Sequence, residues 1–277
     1  MKEQSIKEMY NENGFYLAEG LFSADEVEQV RREAKNIFDI QLREHEFFCQ
    51  DIDDDQDFER NLRELFNQDY DAFLGAAKLS QHLISLHRLA LDERIVNVLN
   101  NELGMALPTI CVKPIIYFNS PHLAKIEGHY KTPAHQDWRS MQGSLDSIIV
   151  WIGLMDIDRD LGALEIVPQS HRRGLFETVE DGWYRTIKEG SISEDAFRRV
   201  EIKAGDALFF SSLLIHRSGN NVTDRIRWSA HFRYNNALEE TFIERKFPHP
   251  YLVYRPQQEL ITKDFPTPEI MDKVFSS

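Results

Sequence analysis

The chain has 277 residues, 42% of them hydrophobic, and a formal net charge of -14. This length suffices for one large domain with a well-filled core, and no run approaches the roughly 18 apolar residues that a membrane span needs. Because nucleic-acid binding depends on clustered cations, the negative charge argues against a nucleic-acid partner and favours a small-molecule substrate.

The N-terminal residues contain no apolar segment after their basic residues, so no secretory signal is predicted and a cytoplasmic location is expected. The chain has two cysteines, Cys49 and Cys111, which are expected to be free or buried thiols in a cytosolic protein of this size. The sequence leaves the oligomeric state open.

The N-terminal third has the pattern of helices that pack through one face. A short apolar run at 14–18 predicts a strand. Ser23 and Glu26 then form a capping-box pattern. A helix is therefore predicted over about 24–43, where apolar residues recur at three- and four-residue spacing.

An acidic connector at 50–57 separates this helix from the next helical region. It lacks the glycine and the terminal glutamate of an EF-hand loop, so it is predicted to be a solvated loop that caps the following helix. Residues 58–103 are predicted to form two or three helices, with a break near Gly75. His82 and His87 lie among leucines there and are interpreted as structural residues.

From Leu107 the sequence changes to β-branched and aromatic runs separated by turn residues. These runs lie too close together for crossover helices, so mainly antiparallel sheets are expected. The pattern favours a helical segment packed against a double-sheet barrel or jelly roll, in a single domain. The predicted strands are 109–118, 147–155, 163–167, 199–202, 207–211 and 225–234.

The last predicted strand alternates polar and apolar residues. The odd positions from Arg225 to Arg233 are polar, and the even positions from Ile226 to Tyr234 are apolar. Successive strand residues alternate faces, so one face is cationic and able to form hydrogen bonds. That face either lies in solvent, which the strand alone favours, or it lines the mouth of a barrel and meets an anion.

His135, Asp137 and His216 are the candidate metal ligands. His135 and Asp137 lie two residues apart on a segment expected to be extended, which would place both side chains on one face. His216 follows an apolar run and is expected at the end of a buried strand. Two imidazoles and one carboxylate would form the facial triad of non-haem Fe(II) oxygenases, which leaves positions on the metal open.

Arg227 completes this set, because its planar guanidinium can bind a carboxylate through two parallel hydrogen bonds. The distal carboxylate of a 2-oxoglutarate co-substrate needs such a partner. A His-x-Asp pair alone has a structural explanation in most proteins. The pair followed by His216 and Arg227, in this order and context, favours the metal site.

Three segments, HQDWRSMQG from residue 135, GALEIVPQSHRRG from residue 162 and HRSGNNVTDRIR from residue 216, carry a resemblance to a known family. From about residue 14 to residue 234, the chain resembles the phytanoyl-CoA dioxygenase family of Fe(II)- and 2-oxoglutarate-dependent oxygenases. The resemblance implies a mainly β fold, a double-stranded β-helix (jelly-roll, cupin-like) core covered on one sheet by helices. The expected parts of this single domain are a helical covering segment at 1–106, the core at 107–235 and a C-terminal extension at 236–277.

The resemblance also assigns roles to residues. It implies iron at the three candidate ligands, oxygen as the oxidant and 2-oxoglutarate at Arg227. Gln136 and Trp151 match family positions that line the 2-oxoglutarate pocket. The expected reaction hydroxylates a C–H bond and releases succinate and carbon dioxide.

The expected substrate is a polar small molecule, such as a sugar derivative or a natural-product intermediate. Polar and basic residues dominate the positions that flank the ligands or share the face of Arg227. His129 and Lys131 are expected to form part of a lid. The expected substrate contacts are Trp138, Arg139, Gln142, His231 and Arg233.

Two other classes of function remain open. One is a non-redox metal enzyme of cupin type or a zinc hydrolase, since two histidines and a carboxylate also bind zinc. Neither explains Arg227, and no His-Glu-x-x-His helix is present. The other is a non-catalytic metal-binding module on the same barrel.

Overall fold

A computed structural model describes residues 5–125, 130–181 and 184–249, so His129 of the expected lid and most of the expected C-terminal extension lie outside the described residues. The helices are α1 (Ile6–Asn13), α2 (Ala24–Glu44), α3 (Asp55–Gln68), α4 (Tyr70–Ser80), α5 (Ile84–Ala90), α6 (Glu93–Asn97), α7 (Trp138–Met141) and α8 (Glu240–Glu244). The strands are β1 (Phe15–Ala18), β2 (Pro108–Asn119), β3 (Ile148–Gly153), β4 (Leu164–Ile166), β5 (Thr178–Asp181), β6 (Tyr184–Ile187), β7 (Arg198–Val200), β8 (Ala207–Ser211), β9 (His216–Arg217) and β10 (Arg227–Asn236).

The predicted strand β1 and helix α2 are confirmed. The Ser23 hydroxyl accepts a hydrogen bond from the Glu26 backbone N–H, and the Glu26 carboxylate accepts one from the Ser23 N–H at 2.8 Å. These reciprocal bonds satisfy N–H groups that the first helical turn leaves without partners. The apolar stripe of α2, which includes Val27, Val30 and Phe38, is buried as its spacing predicts.

The predicted helix break at Gly75 is wrong. Helix α4 runs through Gly75, where a side chain would meet nothing within 4 Å. The chain instead breaks at Asp69, which ends α3, and its side chain accepts a hydrogen bond from the Ala72 N–H at 2.9 Å. A side-chain cap stabilises this new helix start, whereas one helical glycine costs only about 1 kcal/mol.

The acidic connector is only partly a solvated loop. Asp54 caps α3 as predicted, but residues 55–57 already belong to that helix. Asp55 accepts hydrogen bonds from Arg31 at 2.9 Å, from fully buried Lys35 at 2.6 Å and from Arg225 at 2.6 Å. The prediction missed these ion pairs because their partners lie elsewhere in the sequence.

The sheets confirm the expected antiparallel pairing. The largest has the strand order β1-β8-β3-β10-β2, and a second has the order β7-β4-β9, with every pair in both antiparallel. The six predicted strands correspond to β2, β3, β4, β7, β8 and β10. The hairpin of β5 and β6 and the two-residue strand β9 were not predicted, since each is too short to show a clear alternation.

The apolar face of strand β10 packs against the helices, and its polar face points towards the interior of the β region. The Trp228 ring lies 6.4 Å from Phe38 of α2, 6.2 Å from Phe58 of α3 and 4.6 Å from Phe118 of β2. On the opposite face, Arg227 is only 3% exposed. From Arg227 onwards the polar face is therefore largely shielded from solvent, and the solvent alternative is wrong there. Arg225 precedes β10, is exposed and pairs with Asp55 on α3 instead.

Glu59 on α3 is a buried carboxyl group beneath the start of β10. It is 2% exposed and accepts a hydrogen bond from the Ile226 backbone N–H, while its Oε1 atom has no hydrogen-bond partner among the described residues. Burial raises the pKa of Glu59 from 4.5 to about 7, against the opposing effects of the Ile226 N–H and Arg225.

Replacing Glu59 by glutamine is expected to stabilise the protein above pH 7. Because the folded-state pKa of Glu59 is raised, the folded state binds more protons than the unfolded state between pH 4.5 and about 7. Wild-type stability therefore falls as pH rises through that window, and glutamine removes the loss. Urea unfolding at pH 8 should show a gain of roughly 1–3 kcal/mol that vanishes near pH 4.5.

The control for this change is Glu64→Gln, an exposed position on the same helix. A stability difference between wild type and Glu59→Gln that stays the same at pH 4.5 and pH 8 would contradict the assignment.

Candidate metal centre and adjoining cavities

His135, Asp137 and His216 come together at one point beside β9. The His135 N–H donates to the His216 carbonyl at 3.0 Å, and the His216 N–H donates to the His135 carbonyl at 3.1 Å. The Nε2 atoms of His135 and His216 lie 3.8 and 3.7 Å from the carboxylate of Asp137. One ligand atom from each side chain lies within 4.8 Å of the others, which is close enough to hold a single metal ion.

The local backbone differs from the predicted extended segment. His135 forms a single β-bridge, but Asp137 has helical dihedral angles (φ -62°, ψ -31°) and stands at the N-cap position of α7. The prediction that both residues share an extended strand is therefore wrong for Asp137. The two side chains still converge because the chain turns into α7 immediately after the bridge.

Backbone carbonyls fix the orientation of both imidazoles. His135 Nδ1 lies 2.8 Å from the Pro133 carbonyl, and His216 Nδ1 lies 3.0 Å from the Leu214 carbonyl. Since a carbonyl only accepts hydrogen bonds, each Nδ1 must carry the proton and donate it. In a neutral imidazole with this orientation, Nε2 carries the lone pair and faces Asp137, which is the form of histidine that binds a metal.

Asp137 is a buried carboxylate that keeps its charge. Its Oδ1 accepts a hydrogen bond from Arg233 at 3.2 Å, whereas Oδ2 is buried and has no hydrogen-bond partner in the described part of the chain. Burial by itself would raise the pKa of Asp137, but the charge of Arg233 and the nearby imidazoles outweigh it and hold the pKa below its usual value.

The His216 imidazole stays neutral. Burial, followed by the charge of His135, lowers the pKa of His216 to about 3. The neutral His216 imidazole, the His135 imidazole and the ionised Asp137 carboxylate fit a divalent metal ion. One oxygen of that carboxylate is buried without a hydrogen-bond partner among the described residues.

An inner cavity of about 30 Å³ adjoins this centre and contains Arg227. The Arg227 guanidinium donates to the Gly162 carbonyl and, at 3.4 Å, to the Ser218 hydroxyl, while its Nε atom is buried without a hydrogen-bond partner among the described residues. Burial lowers the pKa of Arg227 to about 10, despite the opposing effect of Tyr117. No carboxylate in the described ranges forms an ion pair with Arg227, so a buried cation here is suited to an anionic ligand. The cavity is lined by Tyr117, Thr132, His135, Asp137, Leu164, His216, Ser218, Arg227, His231 and Arg233.

An outer cavity of about 400 Å³ borders the same centre. The two cavities have five lining residues in common: Tyr117, Thr132, His135, Asp137 and Arg233. A molecule bound in either cavity therefore lies beside candidate metal ligands. The lining of the outer cavity consists of Val112, Ile115, Tyr117, Thr132, His135, Gln136, Asp137, Arg139, Ser140, Arg185 and Arg233.

The structure brings some of the expected substrate contacts to these cavities. Arg139 and Arg233 line the outer cavity, and His231 and Arg233 line the inner one.

Three other expected site residues line neither cavity. The Trp138 indole N–H donates to the Ser144 carbonyl at 3.2 Å, with Arg245 over its ring. Gln142 is exposed, and Trp151 is fully buried in β3.

Gln136 joins two loops behind the metal centre. Its amide nitrogen donates to the carbonyls of Gly174 at 2.8 Å and Leu213 at 2.7 Å, and its amide oxygen accepts from the Phe176 N–H at 2.9 Å. The side chain is therefore held by three backbone groups from distant parts of the chain. Gln136, which was expected to line the 2-oxoglutarate pocket, lines the outer cavity and not the inner cavity that contains Arg227.

Replacing Gln136 by glutamate is expected to lower the free energy of unfolding by about 2–4 kcal/mol. Glutamate has the same shape, but it cannot donate to the Gly174 and Leu213 carbonyls, which would face a carboxylate instead. Urea unfolding measures the change. The control is Gln142→Glu at an exposed position, and equal stability of the two variants would refute the role of Gln136.

Sequence reasoning missed several lining residues. Tyr117 lies opposite Ser229 in the pairing of β2 with β10, and its ring lies 4.5 Å from His231. Alternation along β2 places Tyr117 on the polar face of the sheet, which was a usable signal. Thr132, Ser218 and Arg185 carry no comparable pattern in the sequence.

A family model described as phytanoyl-CoA dioxygenase (PhyH) matches residues 10–229. Peroxisomal phytanoyl-CoA dioxygenase from Mus musculus is 25% identical over 252 residues, covering 82% of this chain and 67% of that protein. Ectoine dioxygenase from Nocardia farcinica is 25% identical over 258 residues, covering 85% of this chain and 78% of that protein.

Among solved structures, the epimerase SnoN in complex with Fe3+, alpha ketoglutarate and nogalamycin RO has a similar fold. It superposes with a TM-score of 0.55 at 19% identity, and the match covers 92% of each chain. Among the described residues, no helix combines the length and the apolar character that crossing a membrane would require.

Proposed function

The chain belongs to the phytanoyl-CoA dioxygenase family, and from this membership we propose which residues carry out its reaction and on what kind of substrate. The protein is a 2-oxoglutarate-dependent dioxygenase with iron as its metal and oxygen as its oxidant. In our proposal His135, Asp137 and His216 hold Fe(II). Arg227 binds the distal carboxylate of 2-oxoglutarate in the inner cavity.

One observation carries this proposal: the candidate triad borders a cavity that contains a buried arginine with no carboxylate partner in the described residues. A metal site alone is compatible with a zinc hydrolase, a cupin-type isomerase or a binding module. None of these explains why the chain buries the Arg227 guanidinium beside the metal ligands, whereas a dicarboxylate co-substrate does.

The protein groups prepare the site in two ways. The carbonyls of Pro133 and Leu214 keep the lone pairs of both imidazoles directed at the metal position. Arg233 holds one oxygen of Asp137, and the other has no hydrogen-bond partner among the described residues. Bound Fe(II) would supply the activation of oxygen that is coupled to decarboxylation of 2-oxoglutarate.

The outer cavity is the proposed substrate site. At about 400 Å³ it accommodates a small molecule, and its lining combines arginine, glutamine, serine and threonine side chains with Val112 and Ile115. We propose that a polar small molecule, such as a sugar derivative or a natural-product intermediate, binds there. One of its C–H bonds is hydroxylated, with release of succinate and carbon dioxide.

We propose the double-stranded β-helix as the core of this fold. The five-stranded and three-stranded sheets are its two halves, and the helices α2 to α5 cover the larger one. The whole chain would be one domain, with a helical covering segment at 1–106, a core at 107–235 and an extension at 236–277.

The test of the reaction is product analysis with Fe(II), 2-oxoglutarate and oxygen in the presence of polar small molecules. The proposal expects one succinate and one carbon dioxide for each hydroxylated product, whose mass exceeds that of the substrate by one oxygen atom. Conversion of a substrate without consumption of 2-oxoglutarate would contradict it and favour the non-redox alternative.

A further inference from the structure

The outer cavity carries an excess of positive charge in a chain whose net charge is -14. Its lining contains Arg139, Arg185 and Arg233, and Asp137 is the one carboxylate among the described lining residues. Because the rest of the protein is acidic, the overall composition does not explain three arginines at one cavity. The charge is local to this site.

Carboxylates neutralise two of these three arginines. Arg233 lies 3.2 Å from Asp137, and Arg185 at the exposed side of the cavity lies 2.6 Å from Glu180. Arg139 forms no ion pair with any carboxylate in the ranges that the structure describes. Its Nη2 donates to the Phe176 carbonyl at 2.6 Å, and its Nε is buried without a hydrogen-bond partner there.

The metal and the co-substrate would leave this charge uncompensated. In the proposed function, the negative charges of Asp137 and 2-oxoglutarate are met by the iron, by Arg227 and by Arg233. In that arrangement neither Asp137 nor 2-oxoglutarate forms an ion pair with Arg139, whose guanidinium donates to the neutral Phe176 carbonyl instead. A half-buried cation with spare donors beside the metal centre is suited to an oxyanion, which accepts two hydrogen bonds from one guanidinium.

We propose that Arg139 is a substrate-binding residue and that the substrate is a small organic oxyanion, a molecule with a carboxylate, sulfate or phosphate group. This inference rests on the proposed function and names the substrate class of the same site. Arg139 follows Asp137 by two residues on α7, so the bound group lies on the α7 side of the cavity. Val112 and Ile115 on β2 contact the hydrocarbon part of the substrate.

A purely structural role for Arg139 explains less. The one side-chain hydrogen bond of Arg139 within the described ranges reaches the loop at Phe176. Gln136 already holds that loop through the Phe176 N–H and the Gly174 carbonyl. Attachment of the loop therefore does not require a guanidinium at position 139. Attachment of the loop also does not explain why Arg139 lines the cavity without forming an ion pair with any described carboxylate.

The experiment measures anion binding to protein loaded with Fe(II) and saturating 2-oxoglutarate in the absence of oxygen, so that the inner cavity and the metal are already filled. Sulfate and acetate are titrated at constant ionic strength, and neutral acetamide has nearly the shape of acetate. Perturbation of the visible 2-oxoglutarate band and titration calorimetry give the dissociation constants. The proteins are wild type, Arg139→Gln, Arg139→Lys and the control Arg172→Gln, an exposed position outside both cavities.

We expect at least one of the two oxyanions to bind wild type and Arg172→Gln equally. Binding should weaken roughly 10- to 100-fold in Arg139→Gln, because one charge-assisted contact is lost, and Arg139→Lys should recover part of it. If sulfate binding weakens in Arg139→Gln, the oxyanion group of the substrate is sulfate-like; if acetate binding weakens, that group is a carboxylate. Acetamide should bind weakly to all four proteins.

The inference would be overturned if neither oxyanion bound wild type, or if Arg139→Gln bound them as well as wild type does. Acetamide binding as tightly as acetate would also overturn it. In these cases the visible band still forms, so the proposed function stands. Absence of the band in wild type would instead remove the proposed function, and this inference with it.

Discussion

Replacing His216 by alanine is expected to lower the affinity for Fe(II) by at least about 100-fold and to abolish 2-oxoglutarate turnover. The change removes one of the three proposed protein ligands and would leave the metal with His135 and Asp137. Loss of a supporting group around a metal typically costs 10- to 100-fold in affinity, and loss of a direct ligand should cost more.

Anaerobic competition with a chromogenic chelator measures the Fe(II) affinity of this variant. His82→Ala is the matched control, because His82 is exposed on the helical side of the molecule and lines neither cavity. Its Fe(II) affinity should equal that of wild type. Retention of wild-type affinity by a folded His216→Ala protein would mean that the metal binds elsewhere.

Replacing Arg227 by alanine is expected to raise the 2-oxoglutarate concentration needed for half-saturation by roughly 30-fold or more. Truncating one member of a buried, hydrogen-bonded charge pair costs about 2–5 kcal/mol, and each 1.4 kcal/mol corresponds to about tenfold in affinity. Binding of Fe(II) should change little, because Arg227 is not among the candidate ligands. Arg227→Lys should recover part of the loss, since lysine keeps the charge but not the planar, two-pronged geometry.

The control for this change is Arg225→Ala, two residues earlier. Arg225 pairs with Asp55 on α3 at 2.6 Å and lines neither cavity. It should leave the 2-oxoglutarate requirement unchanged. If Arg225→Ala raised that requirement and Arg227→Ala did not, the anchor would be Arg225.

The sequence predicted the structural features that are determined by residues close together in the chain. The start of α2 depends on Ser23 and Glu26, three residues apart, and the strict alternation of β10 divides it into a polar and an apolar face. Residue order and context, together with the family resemblance, also singled out His216 and Arg227, which the structure places beside His135 and Asp137 around a shared cavity. Short-range pattern was sufficient for α2 and β10.

Contacts between distant segments were not predictable in this way. Gln136 is tied to Gly174 and Leu213, and nothing in its own neighbourhood reveals those partners. Whether the polar face of β10 lies in solvent or in the interior depends on which segments cover it, which a single strand does not encode.

The backbone at Asp137 was mispredicted for a related reason. A His-x-Asp pair is compatible with a strand, but the hydrogen bond from the Trp138 N–H to the Ser212 carbonyl accompanies a turn into α7. The arginines of the outer cavity come from α7, from the hairpin of β5 and β6 and from β10, so only the folded chain brings them together.

The central claim is that His135, Asp137 and His216 hold iron. 2-Oxoglutarate then binds this iron while its distal carboxylate pairs with Arg227. Addition of Fe(II) and then 2-oxoglutarate to wild-type protein without oxygen tests this most directly, because chelation of the metal by the 1-carboxylate and the 2-oxo group produces a visible metal-to-ligand charge-transfer band. We expect the band to appear in wild type and to require higher 2-oxoglutarate in Arg227→Ala. Metal-loaded wild-type protein that shows no band at saturating 2-oxoglutarate would contradict the claim.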